Sequence, residues 1–353
     1  MIDIDGSLGE GGGQVLRTAL ALAAISGQDA RIFNVRARRG TPGLAPQHLT
    51  VVRALAQLCD AEVRGGALRS AVVEFHPQAA VHAGDYTIDV SEAARGGSAG
   101  AVSLILQAML LPLALADGTS RVTLRGGTHV PWSPPIHYLT EVFGPMAAQM
   151  GVRAEVRVEA YGFYPAGGGL VSATIQGRRG PLAAQDWTER GGLKRAWGLA
   201  VAASLPAHIA QRMAGRARNL LGEAGLRPEI VPARERSASP GAVTMLFTEY
   251  ERARAGFSAL GEKGKPSEMV ATEAALDLLA QHRSGQALDM HLADQVLLPL
   301  ALAEGTSTFT TCRVTQHLLT NAEVIRQFVP AAIEVEGAED EAGKVTVRGV
   351  PAR

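Results

Sequence analysis

The chain has 353 residues, of which 46% are hydrophobic, 19% charged and 5% aromatic, enough apolar material for one large domain or two to three smaller ones. That composition excludes a disordered, collagen-like or disulfide-stapled chain; Cys59 and Cys312 are the only two cysteines, and neither stands in a C-x-x-C pair. Lys plus Arg and Asp plus Glu both number 34, and the zero net charge excludes coating of long nucleic acid or an anionic membrane through bulk charge, while a grip on one nucleic-acid end stays open.

The start, Met1-Ile2-Asp3-Ile4-Asp5-Gly6, carries no basic leader. The most apolar stretch, residues 104–116, contains Gln107 and Pro112 and is shorter than the roughly 20 residues of a membrane span. A soluble, cytoplasmic protein in a reducing compartment, without membrane partners, is expected.

In chain order, the first feature is Gly9-Glu10-Gly11-Gly12-Gly13-Gln14, leading into a helix from Val15. Three consecutive glycines permit close backbone approach and expose amide hydrogens, and the helix amino end beyond them favours phosphate. The run reads as a phosphate cradle or as a tight structural turn, and it matches neither the P-loop nor the dinucleotide fingerprint. Glu10 would repel a bare phosphate, so it is a metal-bridging candidate, the alternative being an ordinary loop carboxylate. Arg17, one turn into the helix, is a further phosphate candidate. The helix continues through residues 20–26 to Gly27, and a strand follows at 30–35. If that strand persists, Arg36 and Arg38 share a face. With Arg39 they form the densest positive patch, suited to phosphate or an RNA end, or else a solvated strand edge. His48-Leu49-Thr50 then heads the next helix.

The same order returns twice. Residues 111–118 and 298–305 are Ala/Leu-rich helices ended by Gly, strands follow at 120–124 and 307–311, and His137 and His317 head the next helices. Between the second and third copies, His129 and His137 flank Pro131-Trp132-Ser133-Pro134-Pro135, a rigid wall that either holds a flat base or shapes a loop. Strands are predicted at 152–158 and 169–175, with Gly167-Gly168-Gly169 as a rigid turn or, alternatively, a ligand contact. From Gly27 to Gly118 is 91 residues and from Gly118 to Gly305 is 187, an excess of 96 that marks an inserted unit. Within it, strands are predicted at 193–204 and 242–250, and helices at 208–224 and 267–282. The expected fold class is α+β: three repeated α/β-type modules form a large domain, 1–182 and 283–340, with a smaller inserted α+β domain at 183–282 and a C-terminal strand and tail at 341–353. Ligands are expected at the central junction of the modules.

His291 begins His291-Leu292-Ala293-Asp294-Gln295, with Asp294 near its face. No zinc-ligand spacing occurs. His317 stands at a strand-to-helix junction, where the positive helix end keeps an imidazole neutral and its lone pair available. Chemistry on phosphorus could use that lone pair to form a transient phosphoramidate; a capping or substrate-binding histidine is the alternative.

Seven ordered blocks resemble the RNA 3′-terminal phosphate cyclase family. They are Gly6-x-x-Gly9-Glu10-Gly11-Gly12-Gly13-Gln14-Val15-Leu16-Arg17; Pro42-Gly43-Leu44-x-x-Gln47-His48-Leu49; Gly97-Ser98-Ala99-Gly100 with Leu104-Ile105-Leu106-Gln107; Arg125-Gly126-Gly127-Thr128; Gly162-Phe163-Tyr164-Pro165-x-Gly167-Gly168-Gly169; His291-Leu292-Ala293-Asp294-Gln295; and His317-Leu318-Leu319-Thr320-Asn321. The resemblance implies a ligase-class RNA-processing enzyme that uses ATP and a divalent cation, Mg²⁺ or Mn²⁺, to convert an RNA 3′-terminal phosphate to a 2′,3′-cyclic phosphate. Adenylyl-histidine and RNA-adenylate intermediates are implied, with His317 in the nucleophile's position. Gln14, Arg17, Gln47, Gln107, Pro134, His291, Asp294 and Gln295 fall in the nucleotide region, Asp294 being placed to orient His317 or the ribose. Arg36 and Arg39 correspond to RNA-end contacts and Glu10 to the metal contact. His291 is a departure, since some family members place Tyr there. A noncatalytic RNA-processing or ribosome-assembly scaffold of the same fold, or an enolpyruvyl-transferase-like enzyme, are the competing functions. The oligomeric state is left open, with a homodimer among the options.

Overall fold

The computed structural model describes residues 1–93 and 99–351, so Gly97 and Ser98 of the third block lie outside the described residues. The first module contains β1 (Ile2–Asp5), α1 (Gly13–Ser26), β2 (Ala30–Phe33), α2 (Pro46–Leu58), β3 (Glu62–Arg64) and β4 (Val73–His76), with sheet order β1-β2-β4-β3. The second contains β5 (Asp85–Asp89), α3 (Val102–Leu115), β6 (Thr119–Gly126), α4 (Ile136–Tyr138) continuing through a π-helical turn into α5 (Gly144–Met150), then β7 (Arg153–Ala160) and β8 (Gly169–Gln176), in the order β5-β6-β8-β7. In both, the first two strands are parallel and the rest antiparallel.

The third module starts with the short strands β9 (Leu182–Ala183) and β10 (Asp186–Trp187), and is then interrupted. The interruption holds β11 (Leu193–Ala203), α6 (Ala207–Glu223), β12 (Glu229–Glu235), β13 (Gly241–Tyr250), β14 (Arg254–Leu260) and α7 (Ser267–Ser284). The module resumes with α8 (Leu292–Ala301), β15 (Ala303–Thr311), α9 (Gln316–Phe328), β16 (Ala332–Glu336) and β17 (Gly343–Gly349), in the order β10-β15-β17-β16. β10 pairs in parallel with β15 and buries Trp187, and the next strand, β11, begins at Leu193.

The three modules close on one another through their helices. α3 packs on α2, α8 on α5, and α1 on α9, so the first helix of each module meets the second helix of the one before. Their faces are too apolar to remain hydrated; burying a Leu or Ile side chain yields roughly 1.5–3 kcal/mol. The result is one core running through all three modules. The inserted sheet, ordered β12-β11-β13-β14, is covered on one face by α6 and α7. Its other face gives Val201, Val243 and Phe247 to the main core.

Two local expectations fail for backbone reasons. The strand before the arginine cluster stops at Phe33, and Asn34 and Arg36 take φ of 53° and 52°, so Arg36 and Arg38 do not share a strand face. Gly305 lies inside β15 rather than at a helix end, because α8 stops at Ala301 and Ala303 already pairs with β9. Gly27 does cap α1 in the left-handed region.

Candidate active site

Each module turns from its second strand to the head of a helix, and the three histidines His48, His137 and His317 lie in the first turns of α2, α4 and α9. His317 is set by the cap before it: the Thr315 hydroxyl accepts a hydrogen bond from the Leu318 amide at 3.1 Å. Its side chain is half exposed, and Nδ1 lies 3.8 Å from Glu10 Oε1. Burial pulls the imidazole below its ordinary pKa, Glu10 opposes this, and Arg17, His291 and Arg39 push the same way as burial. The ring is therefore neutral at pH 7 and retains a lone pair.

Glu10 reaches this place because Gly9 has no side chain. A Cβ there would overlap the Thr320 hydroxyl on α9, and φ of 55° is unfavourable to other residues. The arginine turn holds the glycine loop from its other side. Arg38 Nη1 donates to the Gly9 carbonyl at 3.1 Å, and Arg39 Nη2 lies 3.4 Å from Glu10 Oε2.

Gly13 performs a second close approach. A Cβ at that position would overlap His48 Nε2 and crowd Arg17. The His48 imidazole is pushed down to about 3, by burial first and then by Arg17, Arg36 and Arg39. Its Nδ1 is buried without a hydrogen-bond partner. Arg17 is pulled down to about 10 by burial, with Asp294 opposing, and remains a cation. Three guanidinium groups around a neutral imidazole form a site for an anion. His48 served the sequence reading only as a helix landmark; its place in the repeat equivalent to His317 was the available signal. Arg36 is partly committed, since its Nη1 donates to the carbonyls of Thr41 and Gly43 at 2.9 and 3.0 Å.

Beside this cluster, Gln14, Arg17, Gln107, Asp294, Gln295 and Asn321 contribute to the lining of a cavity of about 70 Å³. Gln14 Nε2 donates to Asp294 Oδ2 at 2.7 Å, Asn321 Nδ2 to the Asp294 carbonyl at 2.8 Å, and the Thr18 hydroxyl to Asn321 Oδ1 at 2.7 Å. Asp294 is thus engaged by Gln14, and among the described residues it makes no hydrogen bond to His317. Gln295 Oε1 is buried and unpartnered. The remaining candidates stand around this centre. Gln47 Oε1 accepts from the Ala101 amide at 3.1 Å, joining α2 to the start of α3. The Pro134 carbonyl accepts from the Ser103 hydroxyl at 2.7 Å. His291, at the start of α8, has its ring edge-on to Tyr138 at 6.3 Å and tilted against Phe257 at 6.0 Å.

Burial raises the Asp294 carboxyl to about 7 and Asp289 adds to that, while Arg17 opposes. A carboxyl raised in the fold binds its proton more tightly folded than unfolded. Its contribution to stability is therefore fully present below about pH 4 and is lost as pH rises to about 7. Asp294→Asn removes the titration. Thermal melts at pH 5 and pH 8 are expected to show wild type losing more stability across the interval than the variant.

Among the described residues no three His, Cys, Asp or Glu side chains gather as a metal cage. A divalent ion held by one carboxylate and by substrate phosphates needs no such cage, and Glu10 on its exposed loop offers that carboxylate.

The model of the RNA 3′-terminal phosphate cyclase family matches residues 8–335. The RNA 3′-terminal phosphate cyclase of Methylococcus capsulatus is 53% identical over 352 residues, covering 100% of this chain and 98% of the relative. That of Trichormus variabilis is 53% identical over 339 residues, covering 96% and 97%, and that of Methanopyrus kandleri 42% over 357 residues, covering 99% of each. Among solved structures, the enolpyruvyl transferase NikO from Streptomyces tendae aligns at 13% identity with a TM-score of 0.38, covering 99% of this chain and 48% of that one. At that level the likeness has no bearing on activity.

Proposed function

This chain belongs to the RNA 3′-terminal phosphate cyclase family, and on that premise we propose that it uses ATP to convert an RNA 3′-terminal phosphate to a 2′,3′-cyclic phosphate, with His317 as the nucleophile. The observation that carries the residue assignment is the half-exposed His317 ring at the head of α9, with Nδ1 3.8 Å from one oxygen of the Glu10 carboxylate whose other oxygen faces Arg39.

His317 Nδ1 is turned to Glu10, which leaves Nε2 to attack the α-phosphorus of ATP. The N–P bond forms, the bond to the bridging oxygen breaks, and pyrophosphate leaves. An oxygen of the RNA 3′-phosphate then displaces the histidine, forming an anhydride to AMP. The neighbouring 2′-hydroxyl attacks the RNA phosphorus, losing its proton, and AMP departs as the ring closes. The first two steps convert a poor leaving group, a phosphate oxygen, into a good one.

Arg17 and Arg39 are proposed to hold phosphate oxygens, and Arg36 to brace the loop between them while adding positive potential. Unpartnered His48 Nδ1 and Gln295 Oε1 fit a polar ligand, as does the Gln14, Gln107 and Asp294 lining. We assign Gln47, Pro134 and His291 to the edge of the nucleotide site. Glu10 would hold Mg²⁺ or Mn²⁺, which when bound neutralises charge on the departing pyrophosphate.

We also propose that the segment from β11 to α7 is a domain in its own right, and that the protein works in the cytoplasm. No helix among the described residues is long and apolar enough to cross a membrane. Burial pushes both thiols, Cys59 and Cys312, up to about 11, so neither is a reactive thiolate at neutral pH.

Incubation with ATP, a divalent cation and an RNA bearing a 3′-phosphate is expected to give a phosphatase-resistant 2′,3′-cyclic end, with one AMP and one pyrophosphate per end. Recovery of only the input phosphate end would reject the reading. Gly13→Ala forces His48 and Arg17 apart and is expected to lower the cyclisation rate about tenfold or more, as misplacement of positioning groups does, read from single-turnover kinetics.

A further inference from the structure

Trp132 is 99% exposed, more than any other large hydrophobic side chain among the described residues; Met1 and Tyr164 follow at 69%. It does not dangle. Its φ of 64° lies in the left-handed region, which a bulky L residue rarely adopts. The loop beneath it is fastened by the Ser133 hydroxyl donating to the Val130 carbonyl at 3.0 Å and the Ser103 hydroxyl to the Pro134 carbonyl at 2.7 Å. Pro131, Pro134 and Pro135 stiffen it further. The same loop is flanked by buried His129 and part-buried His137, His129 Nε2 and His137 Nδ1 lying 3.0 Å apart, with His129 stacked on Tyr161 and Phe163 at 5.0 and 5.4 Å. An indole held entirely in water on an unfavourable backbone gains nothing from the protein's own packing, which marks it for a ligand.

We propose that Trp132 is a stacking platform for a base of the RNA strand leading into the 3′-phosphate end, a site that rests on the cyclase reading. Continuity with the active site selects this occupant. The loop is tied to Ser103 in the first turn of α3, and Gln107 one turn later lines the cavity with Gln14, Arg17 and Asp294. Charge supports it as well: a chain of zero net charge gains little from bulk attraction to a polyanion, whereas base stacking is independent of net charge. The adenine of ATP is the poorer occupant, because a transferred nucleotide needs an enclosed site and this ring is open on all sides.

The test compares wild type, Trp132→Ala and Trp132→Tyr in the full chain, with a single-stranded RNA ending in 3′-phosphate. The RNA KM is expected to rise roughly 10- to 100-fold in Trp132→Ala and to recover largely in Trp132→Tyr, the span given by loss of one stacked base. Self-labelling by α-labelled ATP in the absence of RNA is expected to keep its wild-type rate. In a series of RNAs each carrying one abasic nucleotide, one position should erase the difference between wild type and Trp132→Ala. An unchanged RNA KM in Trp132→Ala overturns the platform. Slower self-labelling with an unchanged RNA KM also overturns it and assigns the ring to ATP. A wild-type chain that takes no label from ATP overturns the cyclase reading beneath, and the platform with it.

Discussion

His317→Ala is expected to lower cyclisation of a 3′-phosphorylated RNA by at least about 10⁴-fold, the scale on which removal of a covalent nucleophile acts. The His317 side chain is half exposed and makes no side-chain hydrogen bond among the described residues, so the melting temperature should stay close to that of wild type. The loss is also expected to be specific to one step. An RNA supplied with AMP already joined to its 3′-phosphate needs no adenylyl-histidine, only the attack of its 2′-hydroxyl. His317→Ala should therefore still close that substrate to the cyclic phosphate, with the remaining arginines and His48 holding the end. Failure on both substrates, with an intact melting transition, would move the role of His317 from nucleophile to binding.

The second large effect lies away from the reacting atoms. Asp289 is fully buried, and its carboxylate accepts from the Tyr138 hydroxyl at 2.8 and 3.1 Å and from the amides of Gly256 at 3.1 Å, His291 at 2.9 Å and Leu292 at 2.8 Å. Those donors come from the second module, the inserted sheet and the head of α8. One side chain thus joins three parts of the chain next to the segment that presents His291, Asp294 and Gln295. Asp289→Ala leaves three buried donors and one part-buried amide without an acceptor, and stability is expected to fall by about 3–5 kcal/mol. Urea unfolding would measure this, and a change under about 1 kcal/mol would contradict the role. Asp289→Asn keeps the shape but turns an amide donor toward donors, so an intermediate loss is expected. Tyr138→Phe removes one partner only and should cost less than either.

The repeat was legible because helix, strand and His-headed helix recur at matching positions, and those patterns arise from local periodicity. The two aligned sheets of four strands and the third, interrupted one follow the same order of pairing. The excess length marked an inserted unit, expected at 183–282, and the two-residue β10 inside those bounds is too short to carry a period. The end of the strand at Phe33 was hidden for a different reason: Asn34 and Arg36 take left-handed backbone conformations that no glycine announces. The candidate site was legible as residue types and less so as partnerships. Gln14 and Asp294 are 280 residues apart, and only the fold brings them into a hydrogen bond. The approach of Glu10 to His317 depends on Gly9 sliding under Thr320, a contact that only the folded chain contains. His48 looked like a landmark because its neighbours Arg17 and Gly13 lie on another helix.

The most direct test is to locate the nucleotide on the protein. After incubation with α-labelled ATP and a divalent cation and no RNA, one AMP is expected per active chain, acid-labile and base-stable, on Nε2 of His317 by peptide mapping and phosphorus NMR. AMP found on a lysine, or persisting in both His317→Ala and His317→Asn, would contradict the account.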